Sequence, residues 1–183
     1  MPEEGLGLNR TATTLSYNRL YSYSLKTIHD LIIGNQNFVD RFWNEHNFVF
    51  EKDGLYYHAK GATPGWNDLY EQTLVPMNME EPILITRGTG VENGIGFLPH
   101  GAGRNMSRKM FKEIFPNPSL LEGIDVRFFS GKPDVTEYPQ AYKNAQEVRQ
   151  QMKKYNLAEV VDEIVPYGCI MAGETEFPYK KKN

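Results

Sequence analysis

Apolar residues fall at Leu15, Leu20, Leu25, Ile28, Leu31 and Ile32, a helical periodicity that predicts a helix over residues 10–33 with Gly34 to end it. A short helix is expected next, over Asn37–Trp43. Alternation then takes over. Phe48–Glu51 and Leu55–His58 read as two strands joined by a Lys-Asp-Gly turn, a hairpin. Pro76–Pro82 reads as a loop and Ile83–Thr86 as a buried strand. Ser107 stands where an N-cap belongs, opening a helix to about Phe115 that Pro116 and Pro118 close. Ile124–Phe129 predicts a strand. Asn144 with Glu147 resembles a capping box at the start of a helix to about Tyr155. A further helix is expected over Leu157–Ile164, and a last strand near Tyr167–Met171. Short strands and helices mixed without a regular βαβ alternation make an α+β fold. The expectation is one domain over residues 1–183, flexible at 1–9 and 178–183.

Composition narrows the class. With 183 residues, 40% of them hydrophobic, the chain can bury a sizeable core. No apolar run approaches the roughly 18 residues of a spanning helix, so no membrane partner is expected. The start, MPEEGLGLNR, lacks the basic and apolar regions of a signal peptide. A single cysteine, Cys169, excludes an intrachain disulfide framework and suits a cytoplasmic protein. The net charge of −3 means that any nucleic-acid contact rests on local basic clusters rather than on the bulk field. Arg104, Arg108, Lys109 and Lys112 form one such cluster. Lys180, Lys181 and Lys182 form another, which reads as a solvated end.

Candidate chemistry concentrates in Pro99-His100-Gly101-Ala102-Gly103-Arg104-Asn105-Met106-Ser107-Arg108. Glycines let the backbone approach a bound group, and successive amides can form an anion-binding nest. Arginines bring forked donors suited to phosphate. A neutral imidazole held beside phosphate is a nucleophile at phosphorus. Read alone, the same residues also describe a glycine-rich turn around a satisfied histidine. His46, among Phe42, Trp43 and Phe48, likewise reads as a core histidine or as a metal ligand.

The string HGAGRNMSR resembles the HGAGR-x-(M/L)-SR signature of the RtcB family of RNA ligases. Three further stretches agree with that family in order. His46-Asn47-Phe48-Val49 with Glu51 is similar to its His-Asn metal-ligand segment. His58-Ala59-Lys60-Gly61-Ala62-Thr63 is similar to its His-Arg-Lys-Gly-Ala-Thr motif, and Ala141-Tyr142-Lys143-Asn144 to its Ala-Tyr-Lys-Asn stretch. The ending Pro166–Gly173 resembles the family's closing Pro-x-Gly-Val-x-Lys-Gly. The resemblance runs over about residues 10–174 and implies the C-terminal half of the family's fold. It implies an enzyme that uses GTP and Mn²⁺ to join RNA 2′,3′-cyclic phosphate or 3′-phosphate ends to 5′-hydroxyl ends through a histidine-guanylate. On that implication His100 is the nucleophile and His46 a metal ligand. Gly101, Ala102, Gly103, Arg104, Tyr142 and Asn93 contact the nucleotide. Tyr142, taken by itself, is equally an ordinary aromatic before a helix.

The match departs from the family in places. The family's chain is longer, and its N-terminal half supplies an aspartate, a cysteine and two histidines to the metals. None of those motifs occurs in this sequence. A metal-dependent reading therefore implies an N-terminal ligase half, in trans or outside this sequence, as a partner beside RNA and GTP. The family's Gly-Ser-Met-Gly loop falls on Arg87-Gly88-Thr89-Gly90, which puts a glycine where the nucleotide-touching serine stands. Ala59 and Pro64 replace arginines, and Met171 or Ala172 replaces the closing lysine. The alternative that these losses suggest is a non-catalytic remnant that binds phosphate or RNA ends, or docks on a ligase.

Overall fold

The computed structural model describes residues 31, 44–90, 95–117, 119 and 123–174. The helix expected over 10–33 (of which Leu31 alone is described, as helical), the helix over 37–43, His29, Asn93, both expected flexible ends and the lysine tail lie outside those residues.

The chain forms β1 (Val49–Lys52), β2 (Leu55–His58), β3 (Ala62–Pro64), β4 (Thr73–Val75), β5 (Ile83–Gly88) and β6 (Phe97–Pro99). These are followed by α1 (Arg108–Ile114), β7 (Asp125–Phe128), the 3-10 turns Val135–Glu137 and Pro139–Ala141, α2 (Ala145–Lys154), β8 (Ala158–Ile164) and β9 (Gly168–Met171). The fold is α+β. β1 and β2 pair as the expected hairpin. Asp53 and Gly54 both take positive φ, 53° and 73°, which is the twist a two-residue turn between right-twisted strands requires. β3 pairs with β6, β4-β5-β8 form an antiparallel sheet, and β7 lies parallel to β9.

Two apolar clusters fill the interior. Phe48, Phe50, Ala59 and Trp66 are buried under the hairpin, with Tyr57, Tyr70 and Phe97 packed against them. Their rings meet mostly tilted or edge-on, as quadrupoles prefer; Trp66 and Phe97 lie 5.1 Å apart. Val75, Met77, Leu84, Ala102, Ala145 and Met152 form the second cluster, joining β4, β5 and α2 to the loop after His100. That loop is therefore anchored in core packing.

The predicted helix starts hold. The Ser107 side chain accepts from the Met110 amide at 3.2 Å, and Asn144 accepts from those of Gln146 and Glu147 at 2.9 and 3.2 Å. The helix expected over Leu157–Ile164 is a strand instead. Asn156, at φ 49°, ends α2; the amides of Asn156 and Leu157 return to the carbonyls of Lys153 and Met152, a Schellman close. The chain reverses there, and the β-branched Val160 and Ile164 pair in the antiparallel ladder of β5, with Val161 at the bulge between them. Every residue of β8 after Ala158 is exposed. Its apolar side chains continue in Val165, Tyr167 and Ile170 as a face uncovered among the described residues.

Candidate functional site

Backbone pairing brings together stretches that lie far apart in sequence. Register Ala62↔Pro99 sets Gly61 across from His100, and the His100 amide donates to the Gly61 carbonyl at 3.3 Å. Gly61 sits at φ +72°, and a Cβ built there would lie 3.6 Å from His100 Cδ2 and Nε2, so the ring rests against this glycine. The Gly61 amide in turn donates to Asn47 Oδ1 at 2.9 Å, and Thr63 Oγ1 donates to the Glu45 carbonyl at 2.9 Å. Asn44 fastens the same segment to β4, its Oδ1 accepting from the Leu74 amide at 2.8 Å.

The result is a stacked pair of imidazoles, His46 and His100, with ring centroids 4.7 Å apart and planes 20° from parallel. His46 is exposed and His100 half-buried. Burial lowers the pKa of His100 below its ordinary value, and the neighbouring His46 lowers it further. The neutral, nucleophilic form is thereby favoured.

The glycine loop differs from the expected nest of successive amides. The His100 and Ala102 amides are taken by the carbonyls of Gly61 and Pro76, the latter at 3.2 Å. Within Gly101–Gly103 only the alternate amides, those of Gly101 and Gly103, have no hydrogen-bond partner among the described residues. Gly101 makes room for protein: a Cβ there would stand 2.8 Å from the Pro76 carbonyl oxygen.

The arginines also differ from the expectation of donors open to phosphate. One Glu137 oxygen accepts from Arg108 Nη2 at 2.6 Å and Nε at 3.2 Å, and faces Arg104 Nη1 at 3.5 Å. Arg104 Nη2 donates to the Thr136 carbonyl, while its Nε is buried with no partner among the described residues. The other Glu137 oxygen accepts from the Tyr142 hydroxyl at 2.5 Å. Burial and this bond push the Tyr142 pKa up to about 12, against the pull of both arginines. Of the remaining basic cluster, Lys112 pairs with Glu174.

His46, His100, Gly101, Ala102, Gly103, Arg104 and Tyr142 line one cleft of about 1340 Å³, which residues 164–171 also line. Cys169 lines it from β9, its thiol pushed up in pKa by burial. His58 and Lys60 are exposed and stand outside this lining. Sequence reasoning missed Glu137 and Pro76, which carry no motif. Asn47 was quoted only as part of one.

The groups present suit a nucleotide phosphate: two alternate amides and an imidazole with lowered pKa around a cleft of ample size, with the Arg104 guanidinium, already engaged by Glu137 and the Thr136 carbonyl, adding positive charge to the lining. They do not complete a metal site. Among the described residues no three His, Cys, Asp or Glu side chains converge to hold an ion, and His46 offers one imidazole. Among the same residues no helix is long and apolar enough to cross a membrane.

The sequence model described as tRNA-splicing ligase RtcB matches residues 19–172. A tRNA-splicing ligase RtcB from Archaeoglobus fulgidus is 30% identical over 144 residues, which cover 69% of this chain and 30% of the relative. One from Nanoarchaeum equitans is 25% identical over 167 residues, covering 81% and 34% respectively. An RNA-splicing ligase RtcB from Mycobacterium bovis is 32% identical over 132 residues, covering 62% and 30%. The chain spans about a third of the length of these curated relatives.

Proposed function

We propose, from the premise that this chain belongs to the RtcB family, that it is the guanylate-accepting part of a GTP- and Mn²⁺-dependent RNA ligase. The observation that carries the reading is the His46–His100 pair, stacked at 4.7 Å on the wall of the cleft. A half-buried imidazole with lowered pKa offers an unprotonated ring nitrogen at neutral pH.

His100 acts as the nucleophile. Its nitrogen forms a bond to the α-phosphorus of GTP as the bond to pyrophosphate breaks, giving a histidine-guanylate. An oxygen of the RNA 3′-phosphate then takes the GMP and frees the ring. The 5′-hydroxyl attacks that activated phosphate, loses its proton and expels GMP, leaving a phosphodiester. A 2′,3′-cyclic phosphate is first opened by water. The chain's own part is to position groups and to supply donors where charge develops. The amides of Gly101 and Gly103 supply those donors, and the Arg104 guanidinium, held by Glu137 and the Thr136 carbonyl, adds its positive charge to the cleft.

His46 would contribute one imidazole to Mn²⁺, which when bound would neutralise charge on the phosphate oxygens. The remaining ligands would come from an N-terminal ligase half, in trans or outside this sequence. One observation supports a covering segment: exposed apolar residues of β8 and β9, Ile164 and Ile170 among them, line the same cleft.

The test is mass spectrometry of the chain after incubation with GTP and Mn²⁺, with the N-terminal part of a relative supplied in trans. A guanylate on wild type that is lost in His100→Ala is expected. Because a phosphorus–nitrogen bond is acid-labile, the adduct must survive base and disappear in acid. No adduct on wild type with the partner supplied refutes the ligase reading and leaves a binding remnant.

A further inference from the structure

Two of the proposed nucleotide-contacting residues are held by a residue that no motif marks. Arg104 follows the glycine loop, and Tyr142 lies far along the chain. An isolated bridge joins their backbones, and the Asn105 amide and side chain reach the carbonyls of Ala141 and Tyr142. The Arg104 guanidinium lies over the Tyr142 ring, 5.3 Å from its centroid. Their polar ends are fixed by one group. Glu137, its side chain only 14% exposed, ends the first 3-10 turn and presents one oxygen to each side.

We propose that Glu137 is a positioning residue for the cleft: its two carboxylate oxygens fix the Tyr142 hydroxyl and the Arg104 guanidinium in place, and so set the affinity for a guanine nucleotide. The inference rests on the reading of the cleft as a nucleotide site and adds a residue to it. Desolvating a carboxylate is costly unless every lone pair is used. Here one oxygen takes Arg104 and Arg108 and the other takes Tyr142, so the geometry of all three depends on a group with two acceptors. Arg108, its side chain 63% exposed, meets Glu137 from the solvent side, whereas that of Arg104, 21% exposed, is enclosed. Glu137 thus governs chiefly Arg104 and Tyr142. Asp134 is the other charged group facing this corner, and its carboxylate is engaged by the amide and hydroxyl of Thr136.

A glutamine at position 137 offers one acceptor oxygen and turns an NH₂ toward a donor. Equilibrium dialysis of the full chain with GTP is expected to show Glu137→Gln binding about tenfold more weakly. Glu137→Asp, which keeps both acceptors on a shorter arm, should recover part of the loss. Tyr142→Phe should weaken binding, and the double variant should lose no more than the worse single one, because the residues act as a unit. Ring-carbon NMR gives an independent readout. The Tyr142 signal, assigned by its absence in Tyr142→Phe, stays protonated through pH 11 in wild type and titrates at lower pH in Glu137→Gln. Equal or tighter GTP binding by Glu137→Gln, or additive losses, overturns the proposal. If wild type takes up no GTP, the nucleotide reading itself fails. The NMR titration then still judges the linkage, and a Tyr142 signal unmoved by Glu137→Gln overturns that as well.

Discussion

Replacing Gly101 by alanine separates a structural role for the loop from a ligand-binding one. Gly101 lies outside the left-handed region, so its backbone accepts a side chain, and the cost comes from contact alone. The new methyl would stand 2.8 Å from the Pro76 carbonyl oxygen, well inside the roughly 3.5 Å at which such atoms rest. That oxygen also accepts from the Ala102 amide at an already long 3.2 Å, and separating the two segments takes the bond out of range. Crowding of this kind costs about 1–3 kcal/mol, and the weakened hydrogen bond about 1 kcal/mol. Against this, alanine restricts the unfolded chain and returns about 0.4–1 kcal/mol. The net loss is about 1–3 kcal/mol, a fall in thermal midpoint of roughly 3–10 °C for a chain of this size. Circular dichroism melts measure it. Gly103→Ala is the control, at φ +72° with open space around it: strain of about 1–2 kcal/mol and no collision. In histidine-ring NMR, Gly101→Ala should move the His100 signals, and Gly103→Ala should leave them. A Gly101→Ala midpoint equal to or above wild type would refute the close approach of the loop to Pro76.

Three further outcomes follow from the same geometry. Asn47→Ala removes the acceptor of the Gly61 amide and should cost about 1–2 kcal/mol in urea unfolding, with the His100 pKa rising as the rings separate; an unmoved His100 would show that Asn47 does not hold the pair. In the free chain His100 should titrate below the ordinary histidine value of about 6.5. Since the folded pKa is the depressed one, the group is neutral in both states above that value and adds nothing there. It opposes folding as pH falls through about 6.5 and below, so His100→Gln should flatten the loss of stability between neutral and mildly acid pH, and an unchanged slope would contradict the shift. Tyr167→Ser and Ile170→Ser remove exposed apolar groups and should leave the unfolding free energy within about 0.5 kcal/mol of wild type while reducing self-association in light scattering; a marked destabilisation would mean that these side chains are packed.

What the sequence reveals depends on how local the signal is. The turn of the β1–β2 hairpin, the Ser107 cap and the Asn144 cap each lie within four residues and were legible. β3, β4 and β6 are three residues long and show no period to read. Leu157, Val160, Val161 and Ile164 fit a helical spacing and a β-branched strand equally well. The reversal at Asn156 and the open edge of β5 decided for the strand, and neither lies within the segment itself. In the site, His46, His100 and Tyr142 were legible because each sits in a quotable string. Glu137 stands between Thr136 and Tyr138 with nothing to mark it, and the role of Pro76 rests on one backbone oxygen. Both act through contacts with distant residues, which spacing does not encode.

The two imidazoles are held by different means, and this bears on how the site can be completed. His100 is fixed by backbone: it follows β6 directly, and its amide extends the β3–β6 pairing by one bond to Gly61. His46 lies beyond any ladder. Its placement rests on side-chain bonds from Asn44, Asn47 and Thr63, each worth about 1 kcal/mol. His100, the proposed nucleophile, is therefore the rigid member of the pair and His46, the proposed ligand, the adjustable one. That division suits a centre whose remaining donors arrive from elsewhere, because the single exposed imidazole can shift to meet them without moving the group that carries the chemistry.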